Sequence, residues 1–117
     1  MFTITKVFTF EAAHRLTKVP AEHKCRRLHG HHYRVTVELR AADLDECGFV
    51  VDFGELRALR EEIDARYDHR CLNDVMETET TAENLAWTLY TWCARRWPQT
   101  SAVIVAETAG TTAEYRP

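Results

Sequence analysis

The sequence predicts an α+β fold: a four-stranded antiparallel sheet with two helices on one of its faces. Three features lead there. Apolar and polar residues alternate through residues 2–14 and again through 29–40, the period of a half-buried strand. Apolar residues recur at three- and four-residue spacing through 53–66 and again between Thr81 and Pro98, the period of a helix lying on a core. The segments follow the order β-β-β-α-α-β with short connections, which favours antiparallel neighbours over an alternating, parallel architecture. A chain of 117 residues fits one such domain, residues 1–117, and leaves no room for a second.

Each element has its own signature. In the first strand Phe2, Ile4, Phe8, Phe10, Ala12 and His14 share one parity, broken only by Lys6. Thr3, Thr5, Thr9 and Glu11 share the other, broken by Val7. Residues 15–28 read as a loop. In the second strand His29, His31, Tyr33, Val35, Val37 and Leu39 face one way, and His32, Arg34, Thr36, Glu38 and Arg40 the other. A turn at Asp45-Glu46-Cys47-Gly48 leads to a short strand, Phe49–Val51. Asp52 then has the character of a helix N-cap, with Glu55 completing a capping box. Phe53, Leu56, Leu59 and Ile63 mark the core face of the first helix, 53–66. The second helix opens at Thr80 or Thr81, turns Leu85, Leu89, Trp92 and Cys93 inward, and stops at Pro98. SAVIVAET, residues 101–108, forms the last strand. Two helices cover one sheet face, so the other face, or an edge, is expected to need another subunit.

Composition removes several classes. The chain is 45% hydrophobic and 28% charged, as globular proteins are. A net charge of -3 argues against a nucleic-acid partner. No apolar run approaches the roughly 20 residues that span a membrane. The alternating N-terminus is unlike the continuous apolar stretch of an export signal. The four cysteines, Cys25, Cys47, Cys71 and Cys93, are therefore expected as reduced thiols in the cytoplasm.

The chemistry concentrates in EHKCRRLHGHHYRVTVEL, Glu22–Leu39. His29 and His31 lie two apart on a strand, so both rings point to one face. His14 ends the preceding strand on its own apolar face. Antiparallel pairing brings the three imidazoles together beside the core. Three neutral nitrogens with an open position are the usual catalytic zinc arrangement. A closed structural site that adds Cys25 as fourth ligand fits the spacing equally well.

Other groups carry acid–base or binding character. Cys25 sits among Lys24, Arg26 and Arg27, cations that stabilise a thiolate. Asp68-His69 follows a helix C-terminus, where a cation is favoured and a carboxylate can orient the ring. Glu107 interrupts the apolar parity of Val103 and Val105; a carboxylate there calls for a partner, such as adjacent N–H donors of a ligand. Glu83 reads as the closing residue of a capping box on Thr80. Between residues 14 and 34, six Lys/Arg face a single acid, Glu22. In an acidic chain this local excess suggests an anionic small molecule, phosphate above all.

Together these residues resemble the 6-pyruvoyl-tetrahydropterin synthase family, nearest its bacterial 6-carboxy-tetrahydropterin synthase branch in queuosine biosynthesis. The resemblance rests on Phe10–Leu16 (F-x-A-A-H-R-L), Cys25–His31 (C-x-x-L-H-G-H), Val51–Leu56 (V-D-F-G-E-L), Asp68–Asp74 (D-H-x-x-L-N-D), Thr81–Asn84 (T-A-E-N) and Glu107-Thr108, in family order. It implies a tunnelling fold in which trimers close a β-barrel and two trimers stack as a hexamer. It implies zinc on His14, His29 and His31, and Cys25 as general base. Asp68 and His69 become proton-transfer partners, expected from a neighbouring subunit. Glu107, assisted by Thr81 and Glu83, becomes the anchor for the pterin, and Lys24 and Arg27 the contacts for a triphosphate. Three positions depart from the family pattern: Arg26 stands where glycine is common, Cys71 where tyrosine is common, and Thr80 where proline is common.

Overall fold

The strands β1 (Phe2–His14) and β2 (His29–Ala41) pair antiparallel along their whole length in a computed structural model that describes residues 1–117. Phe2 lies opposite Ala41 at one end and His14 opposite His29 at the other. The alternation read from the sequence is what makes this ladder stable. Phe8, Phe10 and Ala12 of β1 and Tyr33, Val35, Val37 and Leu39 of β2 are all buried on one face. Tyr33 stacks on Phe10, ring centroids 4.9 Å apart.

The sheet is mixed and five-stranded, not four-stranded and antiparallel. Its order is β3-β1-β2-β4-β5, where β3 is Arg70–Cys71, β4 is Thr100–Thr108 and β5 is Thr111–Tyr115. The expected strand at Phe49–Val51 does not form. Only three residues separate the Asp45–Gly48 turn from the Asp52 cap, and Val50 is buried without pairing. Asp45 Oδ1 accepts from the N–H groups of Cys47 and Phe49, both at 2.9 Å, and Gly48 takes a φ of 88° that favours glycine. Two strands went unread. β3 is two residues long and pairs parallel with Ala12 and Ala13, too short for any period to show. β5 turns back at Ala109-Gly110 and pairs with β4. Its Tyr115 packs on Tyr90, centroids 4.9 Å apart. The sheet stays open within one chain, with β3 and β5 as its edges.

Both helices lie on the apolar face. A 3-10 turn, Phe53–Leu56, leads into α1 (Arg57–Arg66). Asp52 caps it by accepting from Gly54 N–H at 2.8 Å, while Glu55 makes no return bond of the expected capping box. α2 (Ala82–Arg96) is capped by Thr81, whose hydroxyl accepts from Asn84 N–H at 3.2 Å. Leu56, Leu59 and Ile63 from the first segment meet Leu85, Leu89 and Cys93 from the second, all fully buried over the sheet. Burial of each such aliphatic side chain contributes about 1.5–3 kcal/mol. The opposite face, with Thr3, Thr5, Val7, Thr9, Glu11, His32 and Arg34, is exposed.

Candidate active site

The last rungs of the β1–β2 ladder build the histidine cluster. His14 and His29 are direct cross-strand partners, and His31 follows two residues on, so all three rings emerge on the core face. Ring centroids are 4.6 Å apart for His14–His29, 4.9 Å for His29–His31 and 5.1 Å for His14–His31. Their ligand nitrogens all lie within 4.8 Å of one another, a set that could hold a metal ion. Cys25 is not a member of this set.

Hydrogen bonds orient the rings for that role. His14 Nδ1–H donates to the Thr80 carbonyl at 2.8 Å, and His29 Nδ1–H to the Arg27 carbonyl at 2.7 Å. A carbonyl only accepts, so in each neutral ring the proton sits on Nδ1 and the Nε2 lone pair is left for a metal. His14 is 1% exposed, and its Nε2 is buried with no hydrogen-bond partner. A buried, unpaired nitrogen facing two further imidazoles is the strongest sign that these residues fit a divalent metal such as zinc. Burial, and then the neighbouring His14 and His29, outweigh the pull of Glu107 and hold the His31 imidazole below its usual range. That favours the neutral form that ligation requires.

Glu107 comes from the end of β4 and reaches the same cluster. Its Oε2 lies 3.1 Å from His31 Nε2 and 3.3 Å from His14 Nε2. With its proton on Nδ1, His14 Nε2 has no hydrogen to give Glu107 and is left without a hydrogen-bond partner. The closeness of His14, followed by the charge of His31, holds the Glu107 carboxyl below its usual range despite partial burial. Glu107 also lines a cleft of about 250 Å³ with Glu83, Val105 and Thr111. Thr81 is not in that lining; its hydroxyl caps α2. Because Thr81 and not Thr80 is the cap, Glu83 is released from the expected capping box and faces the cleft.

Cys25 sits on a single 3-10 turn, Lys24–Arg26, held from both sides. His23 Nδ1 accepts from Cys25 N–H at 3.1 Å, and the Cys25 carbonyl accepts from Leu16 N–H at 2.8 Å. The thiol is free and partly buried. Lys24, Cys25, Arg27, His29 and His31 line one cleft of about 440 Å³, so the thiol, two histidines and two cations do share a site. Arg26 is not available to a ligand in the same way, because its guanidinium donates to the Thr17 carbonyl.

Asp68 and His69 are set elsewhere. Asp68 Oδ1 accepts from Glu11 N–H at 3.0 Å and lies 3.0 Å from His69 Nδ1. The Glu11 N–H bond first, and the His69 bond second, hold the Asp68 carboxyl below its usual range. His69 takes a φ of 58°, the only non-glycine residue at positive φ. Such a conformation costs free energy and marks functional positions. His69 lines a second cleft of about 530 Å³ with Glu11, His31, His32 and Cys71. His31 borders both clefts, yet a single chain does not bring His69 to Cys25. His32 points away from the cluster and pairs with Glu11.

Sequence reasoning missed the segment that braces all this. Asn73 donates to the Arg15 carbonyl and accepts from Arg15 N–H, both at 2.9 Å. Glu79 accepts from the Thr17 hydroxyl at 2.8 Å and from Lys18 N–H at 3.1 Å. Thr80 is 1% exposed against His14. A buried threonine before a helix cap was the available signal, but only the fold shows what it faces.

An open α+β sheet whose longest hairpin ends in three converging imidazoles, two of them oriented by carbonyls, defines a small scaffold with a candidate three-histidine metal centre. The chain belongs to the 6-pyruvoyl tetrahydropterin synthase family, whose model matches residues 3–117. It is 38% identical over 122 residues to a 6-carboxy-5,6,7,8-tetrahydropterin synthase of Synechocystis, covering 98% of this chain and 93% of that one. It is 34% identical over 108 residues to a putative 6-carboxy-5,6,7,8-tetrahydropterin synthase of Archaeoglobus fulgidus, covering 92% and 90%. The structure superposes on a 6-pyruvoyl tetrahydropterin synthase of Caenorhabditis elegans with a TM-score of 0.88 and 27% identity, covering 99% and 95%.

Proposed function

We propose that this protein is a 6-carboxy-5,6,7,8-tetrahydropterin synthase. It converts 7,8-dihydroneopterin triphosphate to 6-carboxy-5,6,7,8-tetrahydropterin, releasing acetaldehyde and triphosphate, in queuosine biosynthesis. The carrying observation is the cleft that Cys25 lines together with His29 and His31. The carboxy-forming reaction is favoured over the pyruvoyl-forming one by the relatives. Those named for the former are 34% and 38% identical over nearly the whole chain, against 27% for the nematode pyruvoyl enzyme.

In this reading His14, His29 and His31 hold zinc through Nε2, the atom their Nδ1 bonds leave free in His14 and His29. Zinc, when bound, supplies a Lewis acid for oxygens of the substrate side chain. Cys25 removes a proton from that side chain, its thiolate favoured by Lys24 and Arg27. Those two cations also meet the triphosphate. Asp68 orients His69, and the pair relays protons. Since His69 and Cys25 line different clefts of one chain, the pair acts on the site of a neighbouring copy. Glu107 accepts from the N–H edge of the pterin, with Glu83 assisting from the same cleft.

The uncovered sheet face and the open edges at β3 and β5 suit assembly into trimers that close a barrel, and two such trimers into a hexamer. No helix is long and apolar enough to cross a membrane. We place the protein, as one domain over residues 1–117, in the cytoplasm.

Product analysis tests the reaction. Incubation with 7,8-dihydroneopterin triphosphate is expected to release acetaldehyde with the carboxylated pterin. A pterin that keeps its three-carbon side chain would assign the pyruvoyl-forming reaction instead.

A further inference from the structure

We propose that Thr80 is a positioning residue for His14, and that its side chain, as a second acceptor beside its carbonyl, holds the ring in the metal-binding orientation. The inference rests on the reading of His14 as a metal ligand.

Thr80 offers His14 two oxygens. Its carbonyl lies 2.8 Å from His14 Nδ1 and its hydroxyl oxygen 3.1 Å from the same atom. The hydroxyl could in principle donate or accept there. Its proton is already committed, because Thr80 Oγ1–H donates to the Arg15 carbonyl at 3.2 Å. Both oxygens therefore present lone pairs to Nδ1, and Nδ1 must be the donor. The proton is shared between two acceptors of one residue, and Nε2 keeps its lone pair toward His29 and His31.

The surroundings make this arrangement stiff. Thr80 and His14 are each 1% exposed, so no water competes for these bonds. The Arg15 carbonyl is held in place by Asn73 at 2.9 Å as well as by Thr80. On either side of Thr80 the backbone is tied to α2. The Glu79 carbonyl accepts from the Asn84 side-chain amide at 2.9 Å, and Thr81 caps the helix through Asn84 N–H. Thr80 is thus mounted on the start of α2 and transmits that fixed position to the first metal ligand. Bonds to a ligand's second nitrogen raise its basicity and set its direction, and their loss typically lowers metal affinity about 10–100-fold.

The test compares wild type, Thr80→Val and Thr80→Ser. Valine keeps shape and carbonyl but removes the hydroxyl; serine restores it. Zinc affinity is measured by chelator competition, and the His14 tautomer by nitrogen-15 NMR of the metal-free protein at about pH 8, where an ordinary imidazole is neutral. The expected result is a single Nδ1–H tautomer in wild type. Thr80→Val, which keeps the carbonyl, is expected to keep the Nδ1–H tautomer but to bind zinc about tenfold more weakly, while Thr80→Ser returns the affinity to the wild-type value. Equal zinc affinity in wild type and Thr80→Val would overturn the proposal. So would an Nε2–H tautomer of His14 in wild type, a result that stands whether or not the valine variant folds. A wild type that binds no zinc contradicts the metal reading, and the NMR result then still decides the role of Thr80.

Discussion

His14 and His29 face each other across the final rung of a thirteen-residue ladder, with ring centroids 4.6 Å apart. The candidate metal ligands are thus placed by strand register, not by a loop. A slip of one residue between β1 and β2 would turn one partner to the exposed face. The apolar run Phe8, Phe10, Tyr33, Val35 and Val37 forbids that slip, because it would expose one strand's share of the core. The same side chains therefore stabilise the sheet and fix the site.

Residue 69 separates conformation from chemistry. His69→Asn keeps a residue that tolerates positive φ, so its urea midpoint is expected to stay near wild type, while turnover falls about 100-fold through loss of the imidazole. His69→Val also loses turnover, and should cost a further 1–2 kcal/mol or about that, since a β-branched side chain resists the 58° φ. Equilibrium unfolding with steady-state rates checks both.

The C-terminal strand is held by charge, and that hold should fail in acid. Arg116 donates to Glu38 at 2.6 and 3.2 Å and to Glu114 at 2.9 Å, and Ser101 donates to Glu38 at 2.7 Å. The Arg116 bond, with help from Ser101, brings the Glu38 carboxyl down from its ordinary 4.5 to about 2. A depressed carboxyl contributes stability that is fully present above its unfolded value. The contribution is lost as pH falls from about 4.5 toward about 2. Glu38→Gln is expected to lower stability by about 1 kcal/mol at neutral pH and to show a shallower loss over that acid window than wild type. Thermal melts from pH 2 to 7, roughly the range over which carboxylates titrate, give the comparison.

Much of this was legible in the sequence, and the limits are physical. β1 and β2 were read to within a residue because both alternate over a dozen positions. The convergence of His14, His29 and His31 followed from parity and antiparallel pairing alone. The expected strand at Phe49–Val51 failed because three residues carry too little period: Val50 alone is buried, without a ladder, and Phe49 is exposed. β3 was invisible because two residues carry no period, and β5 because Thr111–Tyr115 is short and half exposed. The start of α2 was read as Thr80 or Thr81, and only the capping box on Thr80 fell one residue before the cap, Thr81. Which one caps and which one faces His14 depends on a contact 66 residues away in sequence.

Thiol reactivity should divide the cysteines by burial. Cys93 is fully buried under α2, and desolvation pushes its thiol up to about 12. Cys47 is exposed. With an aromatic disulfide reagent at neutral pH, Cys25 and Cys47 are expected to react first and Cys93 only after denaturation. Mass spectrometry of partially labelled protein assigns the order, and early labelling of Cys93 would contradict the packing described.

The central claim is that three histidines alone hold the metal while Cys25 does the proton chemistry beside it. Zinc content measured together with turnover on Cys25→Ala tests this most directly. The account predicts wild-type zinc stoichiometry and assembly, with turnover reduced about 100-fold or more. Loss of zinc along with activity would contradict it and make Cys25 a fourth ligand of a closed site.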